Sequence, residues 1–154
     1  MTALTELVGR TGTPYRFVVE EGKVAEFARA VQATDPLFRD VAAAKEQGLG
    51  GILTTPTFGV ASAHWSVPGA MPDLQLDLRR VLAGGGEWEY FAPIVAGDEL
   101  VATTKVAAVS SKVSGRGPMT VIELMTEFTR DGAVVQTYTT TILQFDAPKQ
   151  EDAG

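Results

Sequence analysis

Gly50-Gly-Ile-Leu-Thr-Thr-Pro-Thr-Phe-Gly-Val-Ala-Ser-Ala-His-Trp65 is the stretch around which the rest of the chain is organised. The Thr55 hydroxyl suits a helix cap, and Pro56 suits the first helical position, where its missing N–H would have gone unpaired anyway. A helix is therefore expected from Pro56 to Trp65. Phe58, Gly59, Val60, Ala61, Ser62, Ala63 and Trp65 put apolar or small side chains on every side of it. No face carries the charge of a solvated helix, so burial is expected. Beyond residue 86 the chain reads as long strands, and a curved antiparallel sheet of that size needs an apolar element against its concave face. The Pro56 helix is assigned to that position.

Upstream, Tyr15, Phe17 and Val19 alternate with Arg16, Val18 and Glu20 between Pro14 and Gly22, the period of a strand. From Lys23 the period lengthens, with Val24, Phe27, Ala28 and Val31 forming a helical stripe. Pro36 forces Asp35 towards extended geometry and is expected to stop that helix near Thr34. Asp40 should cap a second short helix closed by Gly48 in the left-handed region, after which Gly50 and Gly51 allow a tight turn into the buried helix. Pro68, Gly69 and Pro72 end it, and residues 74–82 fit either a short helix or a strand. Strands are expected at 87–91, 100–110, 119–130 and 133–145, the last two joined at Asp131-Gly132, a two-residue type I′ signal. Ala96-Gly97-Asp98 and the cluster from Ser114 to Pro118 supply the other turns. The fold class is α+β, a highly curved antiparallel sheet wrapped around a central apolar helix, in one domain over residues 1–147 with a flexible tail over 148–154.

The 154 residues are 45% hydrophobic and 21% charged, ordinary for a globular chain with a core large enough to fold unaided. The lack of cysteine removes disulfides, thiolate metal sites and a cysteine nucleophile, and the single His64 leaves metal chemistry to carboxylates. No metal site is expected. No leader pattern or membrane-spanning apolar run is legible, which makes a cytoplasmic protein the expectation. A net charge of −6 with scattered basic residues is the wrong footprint for nucleic acid.

The element order and three segments together resemble the hot-dog fold and, within it, the MaoC-like (R)-specific hydratase and dehydratase family. Those segments run from Phe27 to Phe38, from Gly51 to Phe58, and over Glu87-Trp-Glu-Tyr-Phe-Ala-Pro-Ile-Val-Ala-Gly-Asp-Glu-Leu100. The resemblance covers nearly the whole chain. It implies an acyl chain carried as a thioester on coenzyme A or acyl carrier protein, with water added to or removed from its C2–C3 bond. No separate cofactor is implied. Active members carry their acid and base on a turn reading Asp-x-Asn-Pro-x-His. Here the turn reads Ala33-Thr34-Asp35-Pro36-Leu37-Phe38, so Ala33 stands at the Asp position and Phe38 at the His position. Neither moves a proton. Family subunits with this loss include MaoC-like N-terminal domains and the substrate-holding subunit of heterodimeric (3R)-hydroxyacyl-ACP dehydratases, and the chain looks most like the latter. A MaoC-like catalytic partner is thereby implied, or else a homodimer.

The remaining candidates are weaker. Asp35 is read as a turn cap rather than a substitute base, and His64 as a hydrogen-bonded structural histidine on the buried helix. Thr55, Pro56, Thr57, Phe58, Gly59, Ser62 and Gly85 are assigned to substrate binding: the small residues leave room for an acyl tail, and N–H groups at the helix start can face a thioester carbonyl. Gly84 to Gly86 otherwise reads as a plain loop. Arg79, Arg80, Lys112 and Arg116 are candidates for the carrier phosphates, against ordinary surface charge. A non-catalytic acyl-thioester binder and a hot-dog thioesterase stay open as alternatives, the latter lacking the Asp or Glu expected on the central helix.

Overall fold

The computed structural model describes residues 4–146, so the expected tail lies outside the described residues. Five strands form one antiparallel sheet: β1 (Tyr15–Val18), β2 (Val81–Tyr90), β3 (Glu99–Ser114), β4 (Gly117–Arg130) and β5 (Ala133–Phe145), ordered β1-β3-β4-β5-β2. With the helices α1 (Glu21–Ala30) and α2 (Val41–Glu46), this is the α+β hot-dog arrangement that the sequence pattern leads to. Asp131 and Gly132 both have positive φ, 52° and 81°, as the two-residue hairpin between β4 and β5 requires. That hairpin lies inside the sheet. Both its strands are flanked, β4 by β3 and β5 by β2; the free edges belong to β1, β2 and the part of β3 beyond Val106, which β1 does not reach.

Along the concave face the buried alternation of Leu100, Ala102, Thr104 and Val106 on β3 marks the side that is covered. One end packs Phe17, Phe128 and Val135 against Phe58, Val24 and Ile52. The other end packs Val106, Ile122 and Leu124 against Leu7 and Leu74. Residues 74–82 thus divide: Leu74 sits in an irregular segment, Leu78–Arg80 makes one 3-10 turn, and β2 begins at Val81.

The central helix departs from expectation. It runs Phe58–Trp65, two residues later than Pro56, and it is a 3-10 helix. With three residues per turn, side chains three apart stack in rows. The rows Phe58/Ala61 and Gly59/Ser62/Trp65 face the sheet, whereas Val60, 40% exposed, and Ala63 form a row turned outward. An element apolar on every side is therefore buried on only one side within a single chain. Thr55 does not cap it: Thr57 occupies the cap position without a side-chain bond, and the Thr55 hydroxyl is buried without a partner.

Two other boundaries move for local reasons. α1 ends at Ala30 because Gln32 takes a left-handed φ of 57° and the Ala33 N–H returns to the Ala28 carbonyl, a C-terminal closure that precedes Pro36. Gly84 to Gly86 are strand, not loop. A Cβ at Gly84 would meet Leu143 at 3.0 Å, and one at Gly86 would press on Trp88 and Tyr138 at 3.0 Å, where those rings stack 4.3 Å apart. Asp40 and Gly48 behave as expected, Asp40 accepting from the Ala42 and Ala43 N–H groups and Gly48 having φ 77°.

The Gly50-Gly51 pair works by close approach at one position only. A Cβ at Gly51 would lie 2.5 Å from the Ala96 carbonyl oxygen, and nothing lies within 4 Å of one at Gly50. Gly51→Ala should therefore destabilise the chain by about 1–3 kcal/mol, the usual range for overpacking, and Gly50→Ala should be near neutral. Urea denaturation of the two variants checks this; equal midpoints would be wrong for the contact.

Candidate functional site

The site is assembled from four pieces of chain that meet at one end of β2. Asp35 opens the first: its carboxylate accepts from the Leu37 N–H at 2.9 Å, the turn-capping role expected of it, and sets the 3-10 turn Pro36–Phe38. Phe38 is thereby presented inward. The second piece is the approach to the central helix, Leu53 to Pro56, fixed by the Leu53 N–H on the Leu37 carbonyl at 2.7 Å and by the Thr54 N–H and hydroxyl on the Ile94 carbonyl. Tyr90 to Ile94 form the third and Gln136 on β5 the fourth. Together Phe38, Leu53 to Pro56, Tyr90 to Ile94 and Gln136 line a cavity of about 430 Å³.

The wall from Pro93 to Asp98 is held by one carboxylate. Asp98 accepts from the Val95 N–H at 2.9 Å and from the Arg130 guanidinium at 2.7 Å, and the same Arg130 nitrogen donates to the Pro93 carbonyl at 3.0 Å. Tyr90 ties the wall to the helix approach by donating its hydroxyl to the Pro56 carbonyl at 2.8 Å. Desolvation there pushes the phenol up from its ordinary value, so it stays a neutral donor at physiological pH. No lining residue is acidic, basic or a histidine, and no cluster suited to a metal ion exists among the described residues. The cavity can bind and orient a molecule; it holds no side chain able to transfer a proton at neutral pH.

The structure brings together only part of the expected set. Phe38, Thr55 and Pro56 line the cavity, while Ala33 and Thr57 do not. Phe58 is core, stacked with Phe17 at 5.9 Å and edge-on to Phe27 at 5.5 Å. The Ser62 hydroxyl accepts from the Tyr15 hydroxyl at 3.1 Å, Gly59 packs beneath Gln136 and Phe128, and Gly85 is exposed. His64 is exposed, edge-on to the Trp65 ring, not buried on the helix as its neighbours suggest, because it lies at the outer end of its row. Arg79 and Arg80 both bond Asp77, and these guanidiniums, Arg79 first, hold its carboxyl well below the usual carboxylate range. They precede β2, whereas the cavity lies at its far end beside Tyr90, about 30 Å away at ~3.3 Å per residue. Lys112 pairs with Met119, and Met119 with Phe145, whose carbonyl accepts from Arg80. Lys112 and Arg80 therefore share the end of the sheet opposite the cavity, and Arg116 lies in the β3–β4 turn at that end.

Gln136 has no forerunner in the sequence pattern. Strict alternation along β5 would send it to the face opposite Val135, but the register with β4 shifts between Phe128 and Thr129. Val135, Gln136 and Thr137 are all buried at that irregularity. Asp98 and Arg130 were legible only as a turn residue and a strand end.

Residues 6–138 match the family model described as "FAS1-like, dehydratase domain region". A UPF0336 protein of Clavibacter michiganensis is 37% identical over 143 residues, covering 90% of this chain and 93% of its own length. Among solved structures, a MaoC-like dehydratase is 30% identical with a TM-score of 0.81, covering 94% of this chain. The chain spans 44% of that longer protein. The C-terminally truncated HadBC (3R-hydroxyacyl-ACP dehydratase) complex of Mycobacterium tuberculosis matches in fold, with a TM-score of 0.76 at 23% identity, covering 92% of this chain and 99% of the matched one.

The Asp98–Arg130 contact predicts a measurable loss. Asp98→Ala leaves the Val95 N–H without its acceptor and the guanidinium with only the Pro93 carbonyl, which should lower stability by about 1.5–3 kcal/mol. Chemical denaturation gives the number, and an unchanged midpoint would show that the wall does not depend on this carboxylate.

Proposed function

The chain belongs to the family of FAS1-like dehydratase regions, with the UPF0336 proteins among its relatives, and from this we propose that it is the substrate-holding subunit of a (3R)-3-hydroxyacyl-thioester dehydratase or enoyl hydratase. One observation carries the reading. The turn that bears the acid and base in active MaoC-like enzymes is folded and faces a formed cavity, yet it has Ala33 and Phe38 where those groups belong. A partner chain of the same fold then supplies the Asp and His, while the helix and sheet of this chain hold the acyl tail. The carrier is coenzyme A or an acyl carrier protein.

Two features support a partner. β2 is a free edge of ten residues, and Leu82, Tyr90 and Phe91 beside it are 45%, 55% and 61% exposed. Unpaired strand edges of that length are normally covered. The 30% identical dehydratase also has more than twice the length of this chain, room for a second unit in the same polypeptide. Pairing β2 antiparallel with the partner's edge strand carries Arg79 and Arg80 from the end remote from this cavity to the partner's end, where they meet the carrier phosphates. A plain acyl-thioester binder differs only in lacking the catalytic partner. A thioesterase is disfavoured because no carboxylate lines the cavity.

Purified alone, the chain should hydrate a trans-2-enoyl thioester at background rate, since positioned acid and base groups contribute on the order of 10²–10⁴-fold. Mixed with a MaoC-like chain bearing the intact motif it should form a heterodimer that turns over. Robust turnover by the isolated chain would sink the reading, and the Ala33→Asp/Phe38→His variant tests whether the turn remains in register. Reversing Arg79 and Arg80 to Glu in the heterodimer should raise KM for the carrier-bound substrate, more at low salt than at high. An unchanged KM at every salt concentration removes the phosphate assignment.

A further inference from the structure

β2 reads Val81-Leu-Ala-Gly-Gly-Gly-Glu-Trp-Glu-Tyr90, and its register against β5 shifts between Ala83 and Gly85, so the regular part of this free edge is residues 85–90. Trp88 stacks on Tyr138, which packs against the core, so its neighbours Glu87 and Glu89 point to the outer face of the sheet. Both are exposed, and neither forms an ion pair among the described residues. Glu89 accepts only from the Thr137 hydroxyl, at 3.4 Å. Neither β2 nor β5 contains a lysine or arginine. On β4 the same face continues with Glu127, Met125 and Glu123, opposite Thr137, Thr139 and Thr141, and the Lys105 ammonium is taken by Glu127 at 2.8 Å.

A second copy of this chain, joining the edge antiparallel about a two-fold axis, would bring like against like. Residues facing each other across an antiparallel pair share a face of the sheet, so odd positions meet odd positions. Two such registers pair five residues of the 85–90 edge: one sets Glu87 opposite Glu87 of the copy, and the other sets Glu87 opposite Glu89 and Glu89 opposite Glu87. Opposed Cβ atoms lie about 4.5–5.5 Å apart, inside the screening length of about 8 Å at physiological salt. The copy adds no cation there, since its Arg80 falls about 16 Å past Glu89 along the edge. On the inner face the same registers set Trp88 opposite Gly86 or Trp88 of the copy, contacts without charge. The carboxylates decide the outcome.

We propose that Glu87 and Glu89 make the β2 edge reject a second copy of this chain and reserve it for a different chain of the same fold, one whose edge strand presents lysine or arginine on its outer face opposite them. A cation at the same cross-strand spacing turns repulsion into attraction, and fixes the register as well. The inference rests on the reading that a subunit of the same fold pairs at β2, and it names what selects that subunit.

Sedimentation velocity of the full-length chain reads the selection. The wild type should stay monomeric at micromolar concentration in about 0.15 M salt and self-associate more strongly at about 1 M, where the screening length falls to about 3 Å. The Glu87→Lys/Glu89→Lys variant alone should behave likewise. An equimolar mixture of the two should associate at least tenfold more tightly than either, and less tightly as salt rises. Glu87→Gln/Glu89→Gln, which removes the charge and keeps the shape, should self-associate more tightly than the wild type at low salt. The proposal is overturned by a wild type that self-associates as tightly as the mixture, by a mixture that does not associate, or by a glutamine variant no tighter than the wild type. Turnover with a MaoC-like chain bearing the intact motif is read separately: a working heterodimer whose assembly is indifferent to Glu87→Lys/Glu89→Lys removes the charge selection alone, and charge selection without partner-dependent turnover removes the dehydratase reading alone.

Discussion

Phe58 is the side chain on which the arrangement depends. Its ring meets Phe17 of β1 and Phe27 of α1, and Phe17 in turn contacts Phe128 of β4 and Trp65 at the far end of the same helix. One aromatic cluster thus ties the sheet, the first helix and both ends of the central helix together. Burying a side chain of this size contributes about 1.5–3 kcal/mol, and ring pairs add about 0.5–1.5 kcal/mol. The Gly59/Ser62 row lets the helix approach closely enough for those contacts: Gly59 has no side chain to hold Phe128 away, and Ser62 reaches Tyr15.

The cavity exists because the helix approach, Leu53 to Pro56, is suspended between two turns and does not itself pack into the core. The Phe38 turn holds it on one side and the Asp98-braced wall on the other, with Tyr90 closing the third side. Backbone carbonyls of Leu37, Pro56, Pro93 and Ile94 take most of these bonds, so the walls are set chiefly by main chain. That scaffold does not depend on the identity of residues 33 and 38. The turn keeps its shape with Ala33 and Phe38 in it, the latter an apolar plug in the wall.

The electrostatics separate the two ends of the molecule. The cavity end is uncharged in its lining, whereas the opposite end of the sheet carries Arg79, Arg80, Lys112 and Arg116, with Asp77 partly balancing the first two. An uncharged apolar lining and a cationic cluster therefore stand at opposite ends of one free edge strand.

Much was legible in the residues themselves, because it depends on local chemistry. Asp131-Gly132 dictates a turn with two positive φ values, Asp35 and Asp40 cap the helical turns that begin just after them, and the alternation of Tyr15, Phe17 and Val19 declares the inward face of β1. Ala33 and Phe38 were legible as side chains with no proton to exchange, whatever the fold around them. What the tertiary structure decided are matters of who lies opposite whom. Only the sheet order showed that β2 is a free edge. Only the three-residue winding of the central helix turned Val60 and Ala63 outward, and only the helix's outer end exposed His64. The site residue Gln136 emerged from a register shift against β4 at which three successive residues of β5 are buried, a long-range pairing that alternation along one strand cannot encode.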